Sequence, residues 1–320
     1  MNKRKVVLLI IITLLISGCN NYLVDENNKM VINSNTGQKL RSDILCKPSD
    51  NNKEILAEYE KYSEFNNTKI SSLPKCKDIK IYSNKNEGLW NTLFVVPLAF
   101  IITKLGTFVN NYGLGLIITT ILIRGILFPL SQKAAMQSEN ISQAKPELEK
   151  LEKKYKEKTD QESLMKKNKE MLVIYKKYNV NPVVGCIISF IQLPLLLAFL
   201  EAINRVPVIF EGKFLGYKMG LTPSQALKTG SYHYIILIIL ILITTYFSFK
   251  FNSSNNVVSP DQKKQTEMMM KFSIIMIGFV SFGLPIAISI YWITSNSFTI
   301  IQNYLVKRRK NNGKVKETNL

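Results

Sequence analysis

Long apolar blocks alternate with polar, lysine-rich stretches along this chain, and the blocks have the length of membrane spans. About 20 apolar residues carry a helix across a bilayer. That length predicts a first span over 113–131, a second over 182–203, a third over 232–251, and a region from Met268 to Val306 that Gly283-Leu284-Pro285 divides into a fourth, 268–282, and a fifth, 284–306. Asn181-Pro182 supplies a helix start, with Asn as cap and Pro at the first helical position. The block over 88–108 is different. Its uncharged apolar part is only about fifteen residues, broken by Pro97 and ended by Lys104, so an interfacial helix anchored by Trp90 is expected. Residues 19–87 read as a loosely ordered polar tether with some helix near 53–65.

Between the first two spans, 132–180 reads as a helical hairpin. Leu148, Leu151 and Tyr155 recur at helical spacing in one arm, and Met171, Leu172 and Tyr175 line the other, with Thr159-x-x-Glu162 as a capping box at the turn. The segment suits a solvated spacer or a docking arm for incoming chains. The fold class is therefore an all-α polytopic membrane protein with five transmembrane helices and a cytoplasmic helical hairpin.

Charge orients this plan. The chain carries 42 basic and 23 acidic residues, a net +19. The basic residues fall between the apolar blocks instead of forming a basic face with interleaved aromatics, so topology explains them better than nucleic acid does. With the N-terminus outside, the twelve Lys and Arg of 132–180, the four of 250–271 and the six of 307–316 are cytoplasmic, while 204–231 is an outside loop with four. Were 88–108 a true span, the most basic loop would be exported. The interfacial reading avoids that. Residues 252–267 become a cytoplasmic loop and 307–320 a basic cytoplasmic tail; Lys307-Arg308-Arg309-Lys310 suits contact with ribosomal RNA or a stop-transfer anchor.

Residues 1–18 have a basic start at Lys3, Arg4 and Lys5 and an apolar stretch from Val6 to Ile16, the pattern of an export signal. The ending Ile16-Ser17-Gly18-Cys19 resembles the bacterial lipoprotein box, which makes Cys19 the lipidation site and the N-terminus lipid-anchored on the outer side. Cys46 and Cys76 lie in the exported stretch and could pair there; Cys186 sits in an apolar run as a packing residue. No catalytic set, cofactor motif or metal-ligand spacing stands out, and the single histidine, His233, opens an apolar block.

One residue violates the apolar pattern. Arg124 lies seven residues inside Ser131, roughly 10 Å deep at about 1.5 Å per residue. The acidic residue within the spans, Glu201, sits near the outer end of the second, roughly 28 Å from its cytoplasmic start, and so at a different depth. A buried cation without such a counter-ion calls for hydration. Polar positions are there to line a wet groove: Thr120 and Ser131 on the first span, Ser189 and Gln192 beside Gly185 on the second, and Ser289, Trp292, Asn296, Thr299 and Asn303 along one face of the last.

These segments also carry a resemblance. The second span, NPVVGCIISFIQLPLLLAFLEAI, with Gly185, Cys186, Gln192 and Pro194, the last span, FGLPIAISIYWITSNSFTIIQ, and the first span ending in Phe128-Pro129-Leu130 look like those of the YidC-type membrane protein insertases, in the form without a large exported domain. The chain departs from that pattern at Ile188, where a proline often follows Gly-Cys, and at Ile286, where a smaller residue is usual. The resemblance implies a hydrophilic groove open to the cytoplasm and lipid, and a site of Arg124, Thr120, Ser189, Gln192, Trp292, Asn296 and Thr299 in which Arg124 attracts acidic residues of substrates. The implied function is insertion and folding of newly made membrane proteins in the bacterial cell membrane, alone or with a Sec-type translocon. Its partners are nascent membrane proteins, the lipid bilayer and, through the tail, the ribosome; it implies no cofactor and no enzyme. The residues alone also suit a secondary transporter or channel for an anionic solute. The paired repeats and broken helices typical of transporters are missing from the pattern, and a serine hydrolase would need a base that His233 is too far out to provide.

Overall fold

The computed structural model describes residues 21–66, 70–81, 88–158, 160–181, 194–253 and 260–317. The described chain is helical apart from one short antiparallel hairpin and a few isolated bridges. It forms two compact units: one holds 1–121, 192–238 and 280–292, the other 122–191, 239–279 and 293–320.

In the first unit the stretch expected to be a loose tether is folded. Leu23, Val31 and Leu40 lie on adjacent extended segments, with Val31 N donating to the Leu23 carbonyl at 2.8 Å and Leu40 N to that of Val31 at 3.0 Å. Together with Ile44, Tyr59 and Ile70 they form a buried core. Tyr59 comes from helix α1, Lys53–Lys61, capped by Asn52, and its hydroxyl donates to the Arg41 carbonyl at 2.8 Å. A disulfide joins Cys46 to Cys76. The polar composition misled because a small core needs few apolar residues, and these are scattered over some fifty positions.

Helix α2, Gly88–Phe108, is continuous over 21 residues. Pro97 does not break it: a π turn over Asn91–Val95 sits where the proline ring would meet the carbonyl four residues back. By length and composition α2 could cross a membrane, as could Tyr232–Phe251. The premise that 88–108 is too short to span is therefore corrected; its placement rests on other grounds. Asn110, at φ 52°, closes the turn into α3, Tyr112–Ile126. There α2 and α3 meet backbone to backbone: a Cβ on Gly115 would lie 2.4 Å from the Gly106 nitrogen.

The first unit continues with α6, Pro194–Asn204, α7, Val208–Glu211, a hairpin of β1, Lys213–Phe214, and β2, Tyr217–Lys218, and α8, Pro223–Lys228. Leu215 and Gly216 both take positive φ, as a tight two-residue turn requires. This segment pairs with the N-terminal fold: Leu45 N donates to the Arg205 carbonyl at 2.8 Å and Thr222 N to that of Thr36 at 2.9 Å.

In the second unit α4, Phe128–Tyr155, and α5, Gln161–Lys177, form a hairpin. Ile141, Ala144, Leu148 and Val180 make its core, with Met171, Ile174, Tyr175 and Tyr178 against them. Leu172, expected to line the second arm, is 56% exposed. Ile174 takes its place, because the buried face of α5 is centred on the 171, 174, 178 steps. Asp160 caps α5 by accepting from Ser163 N at 2.8 Å, so the cap stands one residue beyond Thr159, which lies outside the described residues. Asn179, at φ 51°, ends the arm, and Val180 N donates to the Tyr175 carbonyl. The remaining helices are α9, Ile235–Ser253, α10, Pro260–Ser281, and α11, Ile286–Glu317, the last two interrupted across Gly283-Leu284-Pro285.

Candidate functional site

Arg124 sits in the last turn of α3 and is 9% exposed. Its Nη2 donates to Ser295 Oγ of α11. A guanidinium keeps its charge in any protein environment, and burying it is costly unless its N–H groups find acceptors. A hydroxyl satisfies one of them without cancelling the charge. One residue further along α11, Asn296 Nδ2 donates to Thr245 Oγ1 of α9 at 2.9 Å. Two neighbouring residues of one helix thus reach α3 and α9, all within the second unit. Ser295 and Thr245 are each 3% exposed, so these polar contacts are buried.

The other expected site residues divide. Thr120, one turn before Arg124, is fully buried, and its Oγ1 donates to the Leu116 carbonyl at 2.8 Å. Its hydroxyl is satisfied by its own helix and does not face a groove as an open donor. Ser131 likewise donates back to the Leu127 carbonyl, at 3.1 Å. Thr299 donates to the Ser295 carbonyl at 3.1 Å, one turn along the same face. Trp292 is half-buried and belongs to the first unit. Ser289 Oγ is buried with no hydrogen-bond partner among the described residues. Ser189, Gln192, Gly185, Cys186 and the lipidation residue Cys19 lie outside the described residues.

Ser295 and Thr245 were missed from sequence. Both sit in polar runs, Thr294-Ser295-Asn296-Ser297 and Thr244-Thr245, and such runs were the available signal.

Glu201, the carboxylate set apart from Arg124 by depth, is engaged elsewhere. Its Oε2 accepts from Trp90 Nε1 at 3.0 Å and its Oε1 lies 3.7 Å from Arg41 Nη2. Outside the spans, the hairpin arms are tied by charge. Glu147 accepts from Lys177 Nζ and Tyr178 Oη, and Glu170 from Lys154 Nζ and Tyr155 Oη. These bonds to the ionised form hold both carboxyls below their ordinary range. Leu164, Met165, Leu172 and Val173 leave α5 an exposed apolar face.

A family model described as 60Kd inner membrane protein matches residues 104–314. The chain is 33% identical over 227 residues to membrane protein insertase YidC of Oceanobacillus iheyensis, covering 70% of this chain and 85% of that protein. It is 36% identical over 224 residues to membrane protein insertase YidC 2 of Bacillus anthracis, covering 70% and 83%. Against membrane protein insertase MisCA of Bacillus subtilis the identity is 34% over 219 residues, covering 68% and 79%. The family match opens inside α2 and takes in α3 with Arg124 and the Ser295 turn of α11. The chain belongs to the YidC-type membrane protein insertase family.

Proposed function

We propose that this chain is a membrane protein insertase whose five spans surround a hydrophilic groove open to the cytoplasm and lipid. The observation that carries the mechanism is the buried guanidinium of Arg124, held by a neutral hydroxyl. A nascent chain with a short acidic exported segment enters beside Arg124, whose positive field replaces part of the hydration that segment would lose in lipid. Its apolar stretch then partitions into the bilayer. Asn296 and Thr299 line the route on α11, joined in this reading by Ser189, Gln192 and Trp292, while Thr120, buried and bonded within α3, supports the helix one turn before Arg124. The sequence holds no phosphate-binding GxxxxGK[ST] loop, so partitioning, the membrane potential or partners such as a Sec-type translocon supply the energy.

Topology follows the charge count, with α2 interfacial. Both ends of α2 touch segments assigned to the outer side: Trp90 meets Glu201, and Lys104 Nζ donates to the Lys77 carbonyl at 2.7 Å. The turn after it reaches Lys213 through Asn111 Nδ2 at 3.3 Å. Cys19 carries the lipid anchor, the hairpin serves as a docking arm for incoming chains, and the tail from Lys307 meets the ribosome.

Purified protein in liposomes tests this. Arg124→Ala should slow insertion of a single-span substrate with an acidic exported segment by about tenfold or more, the scale of one lost charge-assisted contact. Arg124→Lys should largely retain it. Equal activity in all three would remove Arg124 from the mechanism, and solute flux without insertion would favour a transporter.

A further inference from the structure

The folded segment 21–81 precedes the part of the chain that the family model matches. Its core holds no groove residue, yet it carries a buried charge network that ends on α6. Arg41, 3% exposed, grips Asp43 with two bonds, Nε to Oδ1 and Nη2 to Oδ2, each 2.7 Å. The same Nη2 lies 3.7 Å from Glu201 Oε1, and Glu201 Oε2 takes the Trp90 indole N–H of α2. Asp43 is shared. Arg205, 2% exposed and just past α6, donates through Nε to the Asp43 carbonyl at 2.6 Å and lies 3.5 Å from Asp43 Oδ2. The Ser49 N–H then reaches Glu211 Oε1 of α7 at 3.0 Å.

We propose that this N-terminal fold is a brace for the end of α6. Arg41 and Asp43 are positioning residues that set the carboxylate of Glu201 and the guanidinium of Arg205, and through Glu201 the start of α2. A carboxylate on an apolar helix is costly without a cation and donors. Glu201 obtains both from outside its own helix, one from the N-terminal fold and one from α2. Removing one member leaves like or uncompensated charges buried, which is far worse than never having built the network. The Cys46–Cys76 bridge closes a 30-residue separation around α1 just beyond Asp43, and so restrains the fold that presents Arg41. The brace goes beyond the insertase reading and needs no particular role for Arg124.

Hydrogen exchange on the full-length protein in lipid nanodiscs tests it. In Arg41→Ala, amides of 194–205 and of the start of α2 should exchange about tenfold faster than in the wild type, the scale of a lost charged hydrogen bond. Arg41→Lys, which keeps the charge but loses the fork, should fall between. The double variant Cys46→Ser with Cys76→Ser should loosen the same α6 peptides. Faster exchange confined to 21–66, with 194–205 and α2 unchanged, overturns the proposal and leaves Arg41 a local structural residue. Because coupling is reciprocal, Glu201→Gln should in turn loosen residues 38–45. That variant supplies the measurement if Arg41→Ala does not accumulate, and unchanged exchange at 38–45 equally defeats the brace. The exchange readout is independent of insertion activity, so failure of the Arg124 mechanism would leave it standing.

Discussion

A guanidinium inside an apolar helix stays charged, so the protein around it has to supply acceptors where the helix cannot. At Arg124 Ser295 Oγ is one such acceptor. Ser295→Ala removes that bond while leaving the charge in place, so stability and charge attraction can be separated. It should destabilise the protein by about 1.5–3 kcal/mol in a denaturant titration in detergent, yet slow insertion of acidic substrates much less than Arg124→Ala does. Ser295→Thr should behave as wild type in both assays. If Ser295→Ala matched Arg124→Ala in insertion while staying equally stable, the orientation of the guanidinium and not its charge would be the working quantity. Arg124 was legible in the sequence because one charge in an apolar block has few harmless explanations. Its partner was not. Four consecutive polar residues, Thr294 to Ser297, cover more than a full turn of helix, and periodicity cannot say which of them faces α3.

At the scale of elements, the hairpin of α4 and α5 joins an apolar core to ion pairs across the arms. Glu147 and Glu170 are held below their ordinary value of 4.5 by hydrogen bonds from Lys177 and Tyr178 and from Lys154 and Tyr155. A depressed carboxyl contributes stability that is complete above its unfolded value and lost as acid protonates the paired form. The arms should therefore hold one separation at neutral pH and spread as pH falls below about 4.5, read as a broadening of spin-label distances across the hairpin. Screening keeps the effect small, because the charged partners Lys154 and Lys177 are solvent-exposed. A distribution unchanged well into acid would assign the pairing wholly to Ile141, Ala144, Leu148 and Val180. The arms themselves could be read from Leu148, Leu151 and Tyr155, whose spacing marks a face. Leu172 could not be separated from Ile174, since Met171 to Tyr175 are five consecutive apolar residues that cover more than a full turn, and a short pattern fits more than one face of them. The N-terminal fold left still less trace: Leu23, Leu40 and Tyr59 are too far apart for any window to reveal, and they meet only because chain reversals bring them together.

For the whole molecule, the deciding question is which side of the membrane each connection occupies. Helix α2, although long enough to cross, stays wholly within the first unit. Were α2 a span, residues 21–81 and the turn at 109–111 would face opposite sides of the bilayer. Yet Thr222 N donates to the Thr36 carbonyl and Asn111 Nδ2 to that of Lys213, so both segments bond to the one connection 204–231. The proposed topology keeps both segments on one surface, which these two bonds favour. Single cysteines tested with a membrane-impermeant thiol reagent make this a measurement. Lys61→Cys, Asn110→Cys and Lys228→Cys should all react from the outside of intact cells, while Ser163→Cys in the hairpin and Gln265→Cys before the fourth span should react only after permeabilisation. Labelling of Lys61→Cys and Asn110→Cys from opposite sides would make α2 a sixth crossing, invert every later connection, and place the most basic loop of the chain outside.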